Sequence, residues 1–339
     1  SPLNSGPFRL RIPHADRSAS NPAATVNRAT EVSPDPASWA FMLIPLVLLY
    51  GGGALLIREV ARRLHRGYPT MAVLAVAYGL TEESFVVGTL FNPDYLGLDL
   101  LDHGWVPALG TSPIWAVYVV GIHAVWSILV PIVLAEHLFP ARPRTPWLPV
   151  PGLILVVVVY LAGAVLLALG TFFTTGFFPQ PRQLAVVAVL VAAAVLIAVL
   201  LPRAPRRSGP APAPTRVALT TLLGCSAFIG TQLVPTPPVL TILLMLVVIG
   251  ATAAQVVRFS TGSGWGPAHR VAAASGAVGT YCWTGFVIQT TTYGATLPGI
   301  LAQSGFVILA VLLVAGARRG ARRLREESRR ASEPTIPPA

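Results

Sequence analysis

Lysine is absent from this chain: all 24 basic residues are arginine, set against 13 acidic ones. Charge of either sign is scarce, at 11% of 339 residues, where soluble domains carry roughly 25%. Cysteine is almost missing as well. Cys225 and Cys282 both fall in apolar stretches, so no structural disulfide is expected. Ten-residue segments of alternating polarity, the mark of a membrane barrel, are also lacking. The formal charge of +11 has no basic, aromatic-interleaved domain to carry it, which argues against nucleic acid as a partner.

What the chain has is long apolar runs. Hydrophobic residues make up 54% of it, and mean hydropathy is +0.67. The runs are separated by short breaks rich in proline, glycine and arginine, whereas a soluble core would give stripes at helical or strand spacing. Crossing a bilayer takes about 20 apolar residues as helix, a form that satisfies each backbone polar group within its own segment. The expected fold is therefore all-α, a polytopic transmembrane bundle. About nine spans are predicted, near 39–57, 70–91, 114–139, 153–173, 184–201, 217–235, 238–257, 271–291 and 299–317. Residues 1–38 read as a disordered polar tail, 39–317 as the transmembrane domain with its polar site in 70–139, and 318–339 as an Arg-rich cytoplasmic tail.

Loops 58–69, 140–152, 202–216 and 258–270 hold 4, 2, 4 and 2 arginines, and the segment after 317 holds 7; the alternate loops hold only Arg182. By the positive-inside rule the C-terminus is cytoplasmic and the N-terminus outside. The expected partners are the lipid bilayer itself and, for the C-terminal arginines, anionic lipid headgroups.

Spans four to nine contain no charged residue. Glu82, Glu83, His123, Glu136 and His137 all fall in spans two and three, and the loop between them adds Asp94, Asp99, Asp102 and His103. A carboxylate at bilayer depth costs about 2.5–3.5 kcal/mol on insertion scales, so such groups face a bundle interior or a water-filled cavity. At 1.5 Å per residue, Glu83 lies about 12 Å and His123 about 13 Å below the same outer surface. They are on consecutive antiparallel spans, so they are expected to meet. Ala75, Gly79 and Glu83 form a stripe of spacing four, the small residues allowing close helix approach. Tyr78 and Glu82 form the adjacent stripe, and His123, Ser127 and Pro131 share a face. Glu136 and His137, a dozen residues deeper, are expected at the interface as structural groups. Trp105, Trp115 and Tyr118 are expected to anchor the outer boundary.

Glu82, Glu83 and His123 are thus the candidates for a general base, a proton relay or a cation site. Tyr78, Ser127, Asp94, Asp99, Asp102 and His103 are candidate binding residues. The sequence identifies no cofactor, metal or substrate. Gln232, Tyr281, Cys282, Thr284 and Gln289 are neutral polar groups able to reach the site from the second half.

The segments Tyr78-Gly-Leu-Thr-Glu-Glu, Phe91-Asn-Pro-Asp-Tyr-Leu-Gly-Leu, His123-Ala-Val-Trp-Ser-Ile and Phe139-Pro resemble a family of uncharacterised multi-pass prokaryotic membrane proteins over residues 45–150. That resemblance implies a prokaryotic plasma membrane and no particular activity. The paired glutamates and later histidine are also loosely similar to the CAAX-protease and bacteriocin-processing (CPBP) superfamily. This similarity implies that a glutamate activates water for peptide cleavage, assisted by histidine. The chain departs from that pattern in having Val87 for an arginine, Val119 for a phenylalanine and Ser127 for an Asn or Asp. Three readings follow: a proton- or cation-coupled transporter of a small or lipidic molecule, an intramembrane hydrolase using Glu82 or Glu83 with His123, and a structural protein with a polar packing cluster.

Overall fold

The computed structural model describes residues 43–140, 145–202, 209–292 and 294–330. The expected tail at 1–38 lies outside the described residues, as do residues 331–339. Among the described residues the chain is helical, with isolated bridges but no strand. Helix α1 is Leu43–Arg63 and contains a π turn at Val47–Gly51. Helix α2 is Tyr68–Thr81, running directly into a second π turn, Glu82–Val86. Helix α3 is Pro113–Leu138, with a third π turn at His123–Leu129. There follow α4 (Val150–Thr175), α5 (Pro181–Leu200), α6 (Pro214–Gly230), α7 (Pro238–Ser260), α8 (Pro267–Thr292) and α9 (Leu297–Arg330).

From α2 onward each helix has a proline in its first two positions. The ring pre-sets φ, and its missing N–H falls where the helix has no partner for one. Proline and glycine thus punctuate a sequence whose apolar runs would otherwise merge.

Every predicted span is occupied by a helix. Among the described residues seven helices are long and apolar enough to cross a membrane, namely α1, α3, α4, α5, α7, α8 and α9. The α segment of α2 has 14 residues and α6 has 17, both shorter. The first helix differs from expectation at its end. Residues 58–63, predicted to be loop, continue α1 for a turn and a half, because Arg58, Glu59 and Arg62 are buried there in ion pairs. At the other end, α9 runs on through the expected arginine-rich extension to Arg330.

Helix α3 joins two packing groups. On one side α2 lies between it and α5, with α1 and α4 adjoining, around Leu49, Met71, Ala75, Ile128 and Ile132. On the other, α6, α7, α8 and α9 pack around Trp126, Phe228, Met245 and Ala277. Trp126 stacks on Tyr281 at 4.5 Å and donates to the Ala277 carbonyl at 2.8 Å. The closest approaches need glycine. A Cβ on Gly276 would meet the Ala218 carbonyl and lie 2.7 Å from the Leu222 nitrogen. One on Gly79 would lie 3.2 Å from His123 Cβ and 3.3 Å from Val120 Cα, which is what the small-residue stripe predicts.

Candidate functional site: a buried Glu–His–Glu cluster

Three α-helices lose their regular winding where they converge. Each π turn closes i→i+5 bonds, a form that is rare and concentrated at functional sites. Tyr50 sits in the first, Glu82 and Glu83 open the second, and His123 opens the third. The causes differ. In α3, Pro131 has no N–H to offer the Ser127 carbonyl, and the π turn ends just before it, at Leu129. In α2 the wide turn closes the helix: Val87 N–H bonds the Glu82 carbonyl at 2.9 Å, and Gly88 at φ +76° turns the chain away. The wider turn also brings neighbouring side chains closer in angle than the roughly 100° of an α-helix. Adjacent glutamates can therefore address one partner.

That partner is His123. Its Nε2 lies 2.7 Å from Glu83 Oε1 and its Nδ1 3.1 Å from Glu82 Oε2. All three residues are buried. One ligand atom from each can be chosen so that all lie within 4.8 Å of one another, a spacing open to a bound cation. Further groups hold the three in place. Tyr50 donates its hydroxyl to Glu82 Oε1 at 2.5 Å, and its ring stacks on His123 at 5.6 Å. Thr89 donates to Glu83 Oε2, and Trp115 Nε1 donates to Thr89 at 3.1 Å. Ser127 Oγ is 3.1 Å from His123 Nδ1. Tyr78, one turn before Glu82, is buried, and its hydroxyl has no hydrogen-bond partner among the described residues.

The expected meeting of Glu82, Glu83 and His123 is therefore observed, with Ser127 and Tyr78 beside them. The loop residues behave differently. Asp94 and Asp102 are exposed and Asp99 is half-buried. His103 Nε2 meets Thr241 Oγ1 at 3.0 Å, at the start of α7, and partial burial lowers its pKa. In the same loop Tyr95 is half-buried and turns to Thr171 of α4. Burial, and after it the charges of Glu83 and Glu82, push its hydroxyl above the usual value, against a hydrogen bond with Thr171 that pulls it down. Gln232 turns to Met245, Thr284 to the Thr280 carbonyl, Gln289 to the Gly294 carbonyl, and Tyr281 to Trp126.

Glu136 belongs to a second polar cluster at the opposite end of α2. Arg62 grips it with two bonds, Nε to Oε1 at 2.9 Å and Nη2 to Oε2 at 2.6 Å. Arg58 Nε is 3.0 Å from Oε1, and the Tyr68 hydroxyl donates at 2.5 Å. Arg58 also pairs with Glu59 at 2.7 Å and lies 3.5 Å over the Trp147 ring. Glu59 in turn accepts from the Trp147 N–H at 2.8 Å. These bonds tie α1, α2 and α3 to the segment entering α4. His137, buried beside them, bonds the Val133 carbonyl at 2.7 Å.

Tyr50 and Thr89 of the first cluster, and Arg58, Glu59 and Arg62 of the second, were not expected from sequence. A lone tyrosine preceding Gly51-Gly52-Gly53 within an apolar span was the one available signal for Tyr50, since a buried hydroxyl needs a partner.

A family model described as an uncharacterized membrane protein family matches residues 32–327. The match does not show the CPBP similarity. No curated protein and no solved structure matches the chain.

Proposed function

This chain belongs to an uncharacterized membrane protein family, and from that premise we propose that it is a proton- or cation-coupled transporter of a small or lipidic molecule, with Glu82, Glu83 and His123 as its ion site. The observation that carries this reading is the single imidazole held between two buried carboxylates. With His123 protonated and both glutamates ionised the cluster is −1. One more proton or a monovalent cation neutralises it; so does a divalent cation with neutral His123. A buried charge demands such compensation, and the arginines of the second cluster are remote, since Tyr68 and Glu82 are about 21 Å apart along α2. Non-α backbone on three helices at one level is the kind of local break that transporters use to build ion sites. The orientation that goes with this reading has nine spans in a prokaryotic plasma membrane, the N-terminus outside and the C-terminus cytoplasmic.

A second reading, hydrolysis with Glu82 or Glu83 as base, is favoured by the unpartnered Tyr78 hydroxyl, a donor available to an oxyanion beside a carboxylate. One experiment separates them. Purified wild type, Glu82→Gln and Glu83→Gln are reconstituted in vesicles and followed for proton- or cation-driven uptake, and separately for cleavage of lipidic or peptide substrates. Loss of gradient-dependent uptake in folded variants supports transport, and loss of cleavage supports hydrolysis. Variants matching the parent in every respect reduce the cluster to helix packing.

A further inference from the structure

A cavity of about 400 Å³ opens between α8 and α9, remote in sequence from the Glu–His–Glu cluster. Its α8 wall is Ser275, Val278, Gly279 and Cys282, and its α9 wall runs from Ala310 through Ala315 to Arg318, Arg319 and Arg322. From Ala310 to Arg322 the trough is about 18 Å long at helical rise. One end is apolar and the other carries three guanidiniums. The α8 wall has no charged residue from Val271 to Thr292, so nothing on it neutralises them; Glu326 and Glu327 sit a turn beyond the lining. The opposite face of α9 is occupied. Ala317 and Ala321 are buried, and Gly316 and Gly320 sit against Leu138 and the His137 carbonyl of α3. The three arginines are exposed and lie where the apolar stretch of α9 ends, the depth at which lipid headgroups begin.

We propose that this trough is a binding site for one acidic phospholipid, its phosphate held by Arg318, Arg319 and Arg322 and an acyl chain laid along Val311, Val278 and Cys282. Guanidinium forks suit phosphate oxygens, and the chain-length trough distinguishes a lipid from a free anion.

The test is native mass spectrometry of the full chain in neutral detergent, titrated with phosphatidylglycerol or phosphatidylcholine. Wild type retains phosphatidylglycerol at least tenfold better than phosphatidylcholine. The triple variant R318Q/R319Q/R322Q loses that preference. Ala315→Trp, which fills the trough without touching charge, loses retention too, while Arg323→Gln, outside the lining, stays within twofold of wild type. The proposal is overturned if the two lipids bind equally to wild type, if either trough variant still retains phosphatidylglycerol, or if Arg323→Gln loses as much as the triple. Displacement by millimolar inorganic phosphate alone also overturns it, since the chain would then contribute nothing.

Discussion

Replacing Glu136 with glutamine preserves its shape and removes its charge. The carboxylate receives Arg62 at 2.9 and 2.6 Å, Arg58 at 3.0 Å and the Tyr68 hydroxyl at 2.5 Å. Arg58 is 1% exposed and Arg62 7%, so two nearly dry guanidiniums would lose the carboxylate they share, while Arg58 keeps its pair with Glu59. Breaking a buried pair from one side costs about 3–5 kcal/mol, whereas replacing both partners by apolar groups is often neutral. At about 2 °C per kcal/mol for a large domain, Glu136→Gln should melt roughly 6–10 °C below wild type in detergent. The double variant Arg62→Met/Glu136→Met should recover at least half of that loss, because Arg58 keeps Glu59, the Thr145 carbonyl and the Trp147 ring. Thermal unfolding followed by tryptophan fluorescence measures both. A Glu136→Gln shift below 2 °C, or a double variant worse than the sum of the singles, would refute the idea that uncompensated charge sets the cost.

Tyr50→Phe removes the bond to Glu82 while leaving the ring stacked on His123; hydrogen bonds to charged groups are worth about 1.5–3 kcal/mol, so ion-dependent uptake should weaken roughly tenfold or more and melting should fall by roughly 3–6 °C. Gly79→Leu places carbon within 3.3 Å of α3, where ordinary contacts need about 3.5–4.0 Å, so it should part His123 from Glu83 and abolish uptake in a protein that still folds. Gly276→Val drives into the backbone of α6 and should leave no monodisperse protein on size-exclusion chromatography. By contrast Gly250, with nothing within 4 Å of a built Cβ, should tolerate alanine with a gain of about 0.5–1 kcal/mol.

Glu82, Glu83 and His123 were legible because a charge inside an apolar run is improbable without a purpose, and because depth needs only the helical rise. Tyr50 was not, since a tyrosine in a span is no anomaly until α1 is packed against α2. The arginines of α1 misled for a related reason. Arginine at a span end serves topology whether exposed or buried, and only packing against Glu136 distinguishes the two. Pro131 signalled an irregularity in α3, but nothing in the sequence said that it would take the form of a wide turn, or that α1 and α2 would carry one at the same level. In the acidic loop Asp94 and Asp102 are exposed, while Thr89, just before it, bonds Glu83, a role its residue type did not announce.

A wide turn holds one residue more than the tight turn it replaces, and that surplus is removable. Deleting Ala124 or Val125 would remove that surplus from α3 and leave Pro131 as its remaining irregularity. Everything on one side of the deletion would then rotate by about 100° and advance by about 1.5 Å against the rest. The imidazole would leave its two acids, while the Arg62–Glu136 clasp at the far end stayed in register. A one-codon deletion thus probes alignment, where a side-chain swap probes chemistry.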